Sequence, residues 1–317
     1  MLGNEAILGA LAARKQVAEK GRSSYWDEHL DDFDFRDNKF IGKLLPEGGG
    51  RRDRTPLLSA VHRIFQFRFM RMGRKFSSFD LMLDLAVQIQ KQRGALIDLG
   101  TIRQALTLSM IDENLDLTKI DGPFVVIGDG FGVMSSLLIG HFQNTQTKVV
   151  VVNLASNLFV DAFHIHQAFP QTRLCLPTSS EEYCQAVDDP SVTAILVQAD
   201  DSTWISEKAI GCAINLNSMQ EMDPPIIQHY FDLIRSSKSE RSYFYCCNRF
   251  SKTLPDGTVV NFLDYPWHAK DVSLVDELCP WSQFYYSFRP PFYHRYDGPH
   301  QHRLVKMMKS EFHKAIH

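Results

Sequence analysis

Residues 124–138, FVVIGDGFGVMSSLL, place three closely spaced glycines between two apolar runs. The first run fits a short buried strand, and the second fits a helix that starts directly after the glycines. Glycines at such a junction let the backbone turn tightly and approach a ligand without a Cβ clash. The start of the helix supplies free N–H groups that face the same crevice. The segment therefore predicts a strand, a glycine loop and a helix at the edge of a ligand site.

Strand-like and helical segments alternate from residue 119 onward. Strands are predicted at 123–127, 148–153, 194–200, 213–217 and 242–248, with a short one at 173–176; helices are predicted at 133–143, 156–168, 180–188 and 223–237. This alternation implies right-handed crossovers and a mainly parallel sheet. We predict an α/β fold with a Rossmann-like sheet over residues 119–317. The aromatic segments 259–267 and 282–293 are expected to pair as antiparallel strands at the sheet edge.

The first 118 residues have a mostly helical pattern. Residues 57–75 and 80–95 show helical apolar spacing, and the N-terminal 21 residues fit an amphipathic helix. A linker over 46–56, PEGGGRRDRTP, separates the first helix from the next two. We expect an N-terminal helical region, 1–118, that covers the mouth of the site or builds a homo-oligomer.

Charge and cysteine content narrow the class of protein. A net charge of -3 and a pI near 6.5 argue against a nucleic-acid partner. No apolar run reaches the roughly 18 residues that would span a bilayer, so no membrane partner is expected. Six cysteines without a CxxC pair or zinc-like spacing fit a reducing compartment, and we expect a cytoplasmic location. Two His-x-His pairs lack an acidic partner at a diagnostic spacing, so no metal site is predicted.

The spacing of the glycines distinguishes between kinds of ligand. A dinucleotide fingerprint needs its third glycine where Val133 stands and an acid where Asn153 stands, and a phosphate loop needs a GK[ST] sequence that is absent. The remaining ligand-binding option is the GxGxG loop of S-adenosylmethionine-dependent methyltransferases. The alternative is a tight turn between strand and helix that binds no ligand. The predicted cofactor-binding residues are Gly128, Asp129, Gly130, Gly132, Asn153, Asp200 and Asn217. Asn153 is expected near the ribose of the cofactor, and an aspartate at this position is expected to keep or strengthen cofactor binding. Asp129 is expected to face either the methionine ammonium of the cofactor or solvent.

A second stretch carries a family resemblance. Residues 214–235, INLNSMQEMDPPIIQHYFDLIR, and the Cys247-Asn248-Arg249 end of the next strand resemble a family of sugar O-methyltransferases. The resemblance covers roughly residues 120–305. It implies a Rossmann-like class I methyltransferase fold, S-adenosyl-L-methionine as cofactor, and a sugar hydroxyl, free, nucleotide-linked or in a glycan, as acceptor. Val126 and Asn153 replace acidic residues common in such proteins, so the alternative is a non-catalytic methyltransferase-like binding or scaffold protein.

Methyl transfer to a hydroxyl also needs acceptor-side residues. A sugar hydroxyl is a poor nucleophile, so a general base is expected. Glu221, just past the fourth strand, is the first candidate, although it could instead cap the following helix or pair with Arg249, and His302 is the rival base. Amides, a guanidinium and an aromatic ring suit the binding of a sugar and its charged substituents. The residues predicted to bind the acceptor are Gln220, Asn248, Arg249 and Tyr293.

Overall fold

The computed structural model describes residues 3–14, 22–29, 33–36, 39–42, 50–51 and 55–309. The predicted linker over 46–56 lies mostly outside these residues. The N-terminal part contains helices α1 (Asn4–Arg14), α2 (Ser24–His29), α3 (Pro56–Gly73), α4 (Phe79–Gln92) and α5 (Leu99–Leu115), and a hairpin of β1 (Phe33–Arg36) and β2 (Lys39–Gly42).

Strands and helices then alternate as the sequence predicts. In chain order they are β3 (Phe124–Ile127), α6 (Val133–His141), β4 (Val149–Asn153), α7 (Ala155–Ala168), β5 (Leu174–Cys175), α8 (Ser180–Asp188), β6 (Ala194–Gln198), β7 (Cys212–Leu216), α9 (Pro224–Ser236) and β8 (Ser242–Arg249). The C-terminal part adds β9 (Ser251–Thr253), β10 (Val259–Asn261), β11 (Val272–Leu278), β12 (Phe284–Tyr286), β13 (Tyr293–Arg295) and β14 (His300–Met307).

Eight strands form the central sheet, in the order β11-β14-β8-β7-β3-β4-β6-β5. The pairs from β8 to β5 are parallel, and β14 runs antiparallel to both of its neighbours. The chain leaves β3 toward β4 on one side and later returns through β7 on the other. The strand order therefore reverses beside β3, which is where open α/β sheets bind ligands. The predicted fold class, α/β with a Rossmann-like sheet, is confirmed.

Two hydrophobic layers cover the sheet. Residues of α1, α4 and α5 share one buried cluster with α6 and α7, while α8 and α9 pack on the opposite face. Ile7 and Leu11 of α1 are buried in the first cluster. The helical N-terminal part is therefore built into the covering layer of the sheet, and its predicted boundary at residue 118 stays a prediction.

The edge pairing expected from the aromatic segments is wrong. β10 pairs with β9, and β12 pairs with β13, each in a separate two-stranded hairpin. The antiparallel strand beside β8 is β14, whose burial alternates along most of its length as expected for a strand. Short turns favour pairing with the nearest segment, which explains why the aromatic runs form local hairpins.

Candidate functional site

The glycine loop begins where β3 ends. Gly128, Gly130 and Gly132 have φ values of 69°, 81° and 60°, in the left-handed region that L side chains rarely adopt. Gly132 is also the N-cap of α6, and a Cβ there would lie 2.8 Å from the Asp161 carbonyl oxygen. The backbone at these three positions therefore favours glycine, as the sequence predicts.

Asp129 caps the helix that follows the loop. Its carboxylate accepts hydrogen bonds from the N–H groups of Met134 and Ser135, at 3.1 and 2.7 Å. Burial raises the pKa of Asp129, although the Ser135 and Met134 bonds and the charge of Arg93 lower it in part. Asp129 also lines a cavity. The sequence left open whether it faces a methionine ammonium or solvent, and the structure places it at a cavity wall instead of on the open surface.

Two cavities meet at this loop, because both are lined by Gly128, Gly130, Ser218 and Trp26. The first has a volume of about 220 Å³ and lies over the ends of β4 and β6. The second, of about 250 Å³, lies over the ends of β7 and β8 and is bounded by α2 and α5. The first includes Asn153, Asp200, Ser202 and His229, and the second includes Asp129, Asn217, Glu221 and Cys247. A ligand on the glycine loop would therefore have room on both sides of it.

Asn153 lines the first cavity, and its amide is held on both sides. Its Nδ2 donates to Oδ2 of Asp161 at 2.8 Å, and its Oδ1 accepts from the Leu154 N–H at 3.0 Å. Asp161 is fully buried on α7, and burial together with the neighbouring charge of Asp129 raises its pKa well above the usual range. This contact argues against the expectation that an aspartate at position 153 would keep or strengthen donor binding. With aspartate at 153, two carboxyl groups would face each other.

Gln220 and Asn248 hold the polypeptide at the edge of the crevice. Asn248 Oδ1 accepts from the Gln220 N–H at 3.0 Å, and Gln220 Oε1 accepts from the Arg249 N–H at 2.7 Å. Asn248 Nδ2 donates to Oδ1 of Asn215 on β7. Gln220, Asn248 and Arg249 are not among the residues that line the two cavities. The contacts of the two amides are structural, since they tie the turn after β7 to β8.

Glu221 lines the second cavity, next to Asn217, whose φ of 60° lies in the left-handed region. The Glu221 carboxylate lies 2.9 Å from Nζ of Lys252, and both side chains are 15% exposed. The sequence left a pair with Arg249 open; the structure gives Glu221 a different basic partner. Lys252 Nζ also lies 3.9 Å from the centre of the Tyr25 ring on α2. These contacts connect the candidate base to the helix that covers the cavity.

His302 and Tyr293 lie outside the two cavities. His302 is 1% exposed on β14, with Nδ1 3.1 Å from the Tyr245 hydroxyl. Tyr293 lies on β13, and its hydroxyl donates to the Phe65 carbonyl oxygen of α3 at 2.9 Å. Of the predicted acceptor-side residues, the structure brings only Glu221 to a cavity wall.

Sequence reasoning missed the residues that the N-terminal helices supply. Tyr25 and Trp26 of α2, and Arg103, Gln104 and Thr107 of α5, line the second cavity. The hydroxyl of Ser23 donates to the Glu221 carbonyl oxygen and holds α2 over the opening. No local pattern marks these residues, because long-range contacts place them; the bond that holds α2 joins residues 198 positions apart.

Two further observations concern the described part of the chain. It contains no group of three or more His, Cys, Asp or Glu side chains placed to hold a metal ion. None of its helices is long and apolar enough to cross a bilayer.

Comparisons with known proteins give distant structural likenesses. The sequence matches no protein-family model and no curated protein. Similar solved structures include apo SibL, an S-adenosylmethionine-dependent methyltransferase (TM-score 0.38, 11% identity, covering 96% of each chain). The 1,6-didemethyltoxoflavin-N1-methyltransferase of Burkholderia thailandensis matches with a TM-score of 0.37 and 10% identity, covering 88% of this chain and 100% of that one. The CurJ carbon methyltransferase matches with a TM-score of 0.36 and 10% identity, covering 97% of this chain and 85% of that one. Scores this low carry no argument about activity.

Proposed function

We propose that the protein is an S-adenosyl-L-methionine-dependent methyltransferase. The observation that carries the proposal is the left-handed loop of Gly128, Gly130 and Gly132 at the strand-order reversal, with a cavity on each side. The first cavity suits a nucleoside, because it lies over the ends of β4 and β6, where Asn153 and Asp200 offer polar groups. Gly128 and Gly130 line both cavities, so one donor bound on the loop would extend from the first toward the second.

The second cavity is the proposed acceptor site, and we propose a sugar hydroxyl as the acceptor. Aromatic rings of Tyr25 and Trp26 and the polar side chains of Gln104, Thr107 and Asn217 line it. Aromatic faces stack on sugar rings, and amides and hydroxyls both donate and accept hydrogen bonds. A bound donor would supply an activated methyl group. The chain's part is to orient the acceptor hydroxyl, exclude water through α2, and accept the hydroxyl proton at Glu221.

Titration calorimetry with S-adenosyl-L-methionine tests the donor assignment. Gly130→Val is expected to abolish binding, because a branched side chain would occupy the place where the backbone meets the ligand and would strain a φ of 81°. Gly257→Val is the matched control: its φ is 89°, but a Cβ there meets nothing within 4 Å. Unchanged binding by folded Gly130→Val protein would contradict the assignment.

The acceptor is tested by transfer of a labelled methyl group to free sugars, nucleotide sugars and glycans. Methylation of any of these supports the sugar proposal and identifies the form of the acceptor. Donor binding without transfer to any small molecule would favour the non-catalytic alternative, a methyltransferase-like binding protein.

A further inference from the structure

Arg93, at the C-terminal end of α4, reaches the glycine loop from a helix outside the strand–helix alternation. Its Nη2 donates to the Gly132 carbonyl oxygen at 2.9 Å and to Oγ of Ser136 at 2.7 Å. Its Nε donates to the His164 carbonyl oxygen on α7 at 3.3 Å. One guanidinium thus bonds to the loop, to the first turn of α6 and to α7.

Asp161 holds the same loop from α7. Its Oδ1 accepts from the Gly132 N–H at 2.9 Å, and its Oδ2 accepts from Nδ2 of Asn153 at 2.8 Å. The two oxygens of one buried carboxylate therefore fix the distance between the glycine loop and the end of β4. These are the two segments that would contact the two ends of a nucleoside donor.

The charges explain why the two groups act together. Asp161 is fully buried, and a buried carboxylate is costly unless a cation or hydrogen bonds accompany it. Arg93 supplies that positive charge: both Asp129 and Asp161 interact favourably with it, although burial lowers its pKa to about 10. The N–H of Gly132 is consequently bonded to the Asp161 carboxyl group and its C=O to the Arg93 guanidinium, and a bond from a guanidinium is stronger than one between neutral groups.

We infer that Arg93 and Asp161 are positioning residues that fix the glycine loop and the end of β4 at the spacing the methyl donor requires. The inference rests on the donor site proposed above. Neither residue lines either cavity, so each acts through Gly132 or Asn153 and not by touching the donor. It also assigns a role to α4: this N-terminal helix orders the cofactor loop.

The test compares Arg93→Met with Arg93→Lys, at a temperature where thermal unfolding shows that both are folded. Arg93→Met should raise the dissociation constant for S-adenosyl-L-methionine about ten- to a hundredfold, the range for losing bonds to a charged group. Arg93→Lys should recover part of the affinity, because an ammonium keeps the charge but not the planar guanidinium. Arg235→Met is the control: it removes an arginine near the end of α9 that bonds to Asp271, away from the loop, and should leave the dissociation constant within twofold.

A second readout does not need the donor. In the free protein, amide hydrogen exchange at Gly132, Met134 and Ser135 should be faster in Arg93→Met than in Arg235→Met. If the wild type binds no S-adenosyl-L-methionine, the proposed function fails, while exchange still shows whether Arg93 orders the loop. Wild-type donor affinity in Arg93→Met, or equal exchange in the two variants, would overturn the inference.

Discussion

At the end of β4, Asn153 donates to the Asp161 carboxylate while Asp161 also accepts from the loop. The sequence predicted that position 153 lies at the site, because it ends the second strand of an alternating pattern. It did not predict the state of the amide, which depends on a buried partner eight residues away on α7. In the sequence that partner is one of several polar residues of the predicted helix, and nothing local distinguishes it from the others.

Asn153→Asp is therefore expected to weaken donor binding. The new carboxylate would face Asp161 across the 2.8 Å contact, and two carboxylates at this distance cannot both ionise without a large penalty. We expect a loss of about 1–3 kcal/mol in binding free energy near pH 8, which becomes smaller as the pH falls and the pair shares a proton. The double variant Asn153→Asp/Asp161→Asn restores one carboxylate and one amide and should recover most of the affinity. Calorimetry at two pH values measures all three proteins, and stronger binding by Asn153→Asp would contradict this account.

Glu221 is the proposed base, and it lines the second cavity. Glu221→Gln keeps the shape of the side chain and should lower turnover by about 10²–10⁴, with the donor dissociation constant changed by no more than a few fold. His302→Ala provides the comparison, since that imidazole is enclosed by Tyr245 and Trp281. Its loss should affect stability more than turnover. Steady-state kinetics on an identified acceptor measures both; full activity in Glu221→Gln with none in folded His302→Ala would make the histidine the base.

Elements with a strong apolar pattern were predicted within a few residues. β3, β4, β7 and β8 are short runs whose residues are almost all buried, and α3 and α4 carry apolar residues at helical spacing. α5 was missed because most of its residues, from Gly100 to Ile111, are buried, so the amphipathic pattern that marks a surface helix is weak. Its N-cap gave one local signal: Asp98 accepts from the Thr101 N–H at 2.8 Å.

β11 and β14 were missed for different physical reasons. Most of β11 is exposed, so it has no buried face that would produce an alternating pattern. β14 does alternate, but its position beside β8 is a pairing between residues 51 to 65 positions apart, and only tertiary structure decides it. The candidate site follows the same division. The glycine loop is a local pattern and was predicted. The sequence left open whether the N-terminal helices cover the site or build an oligomer, and it did not identify the long-range contact that holds α2 over Glu221.

The whole molecule is joined at several places by charged side chains that link distant elements. The Arg235–Asp271 pair connects α9 to the segment before β11, with two N–O distances of 2.7 Å. The N–H groups of His268 and Met308 also donate to this carboxylate, so the pair fixes the end of β14 as well. The two side chains are 11% and 4% exposed, so water screens their interaction only weakly.

This pair predicts how stability depends on acid. Burial by itself raises the pKa of Asp271, but the bonds from Arg235, Met308 and His268 outweigh it and leave the pKa below its ordinary value. A carboxylate with a lowered pKa stabilises the fold above its unfolded pKa of about 4, and this contribution is lost as the pH falls through the lower, folded value. Removing one partner of a buried pair costs about 3–5 kcal/mol, so Asp271→Asn should lose up to that much at pH 7.

The difference in unfolding free energy between wild type and Asp271→Asn should then shrink as the pH falls from 7 to 3, because acid neutralises the same carboxylate in the wild type. Asp161→Asn should show the opposite trend. The raised pKa of Asp161 means that its ionisation opposes folding, so the wild type gains stability relative to this variant as acid protonates the carboxyl group. Urea unfolding of the three proteins across this pH range measures both trends. A difference for Asp271→Asn that stays constant with pH would mean that the pair contributes through shape and hydrogen bonding and not through its charge.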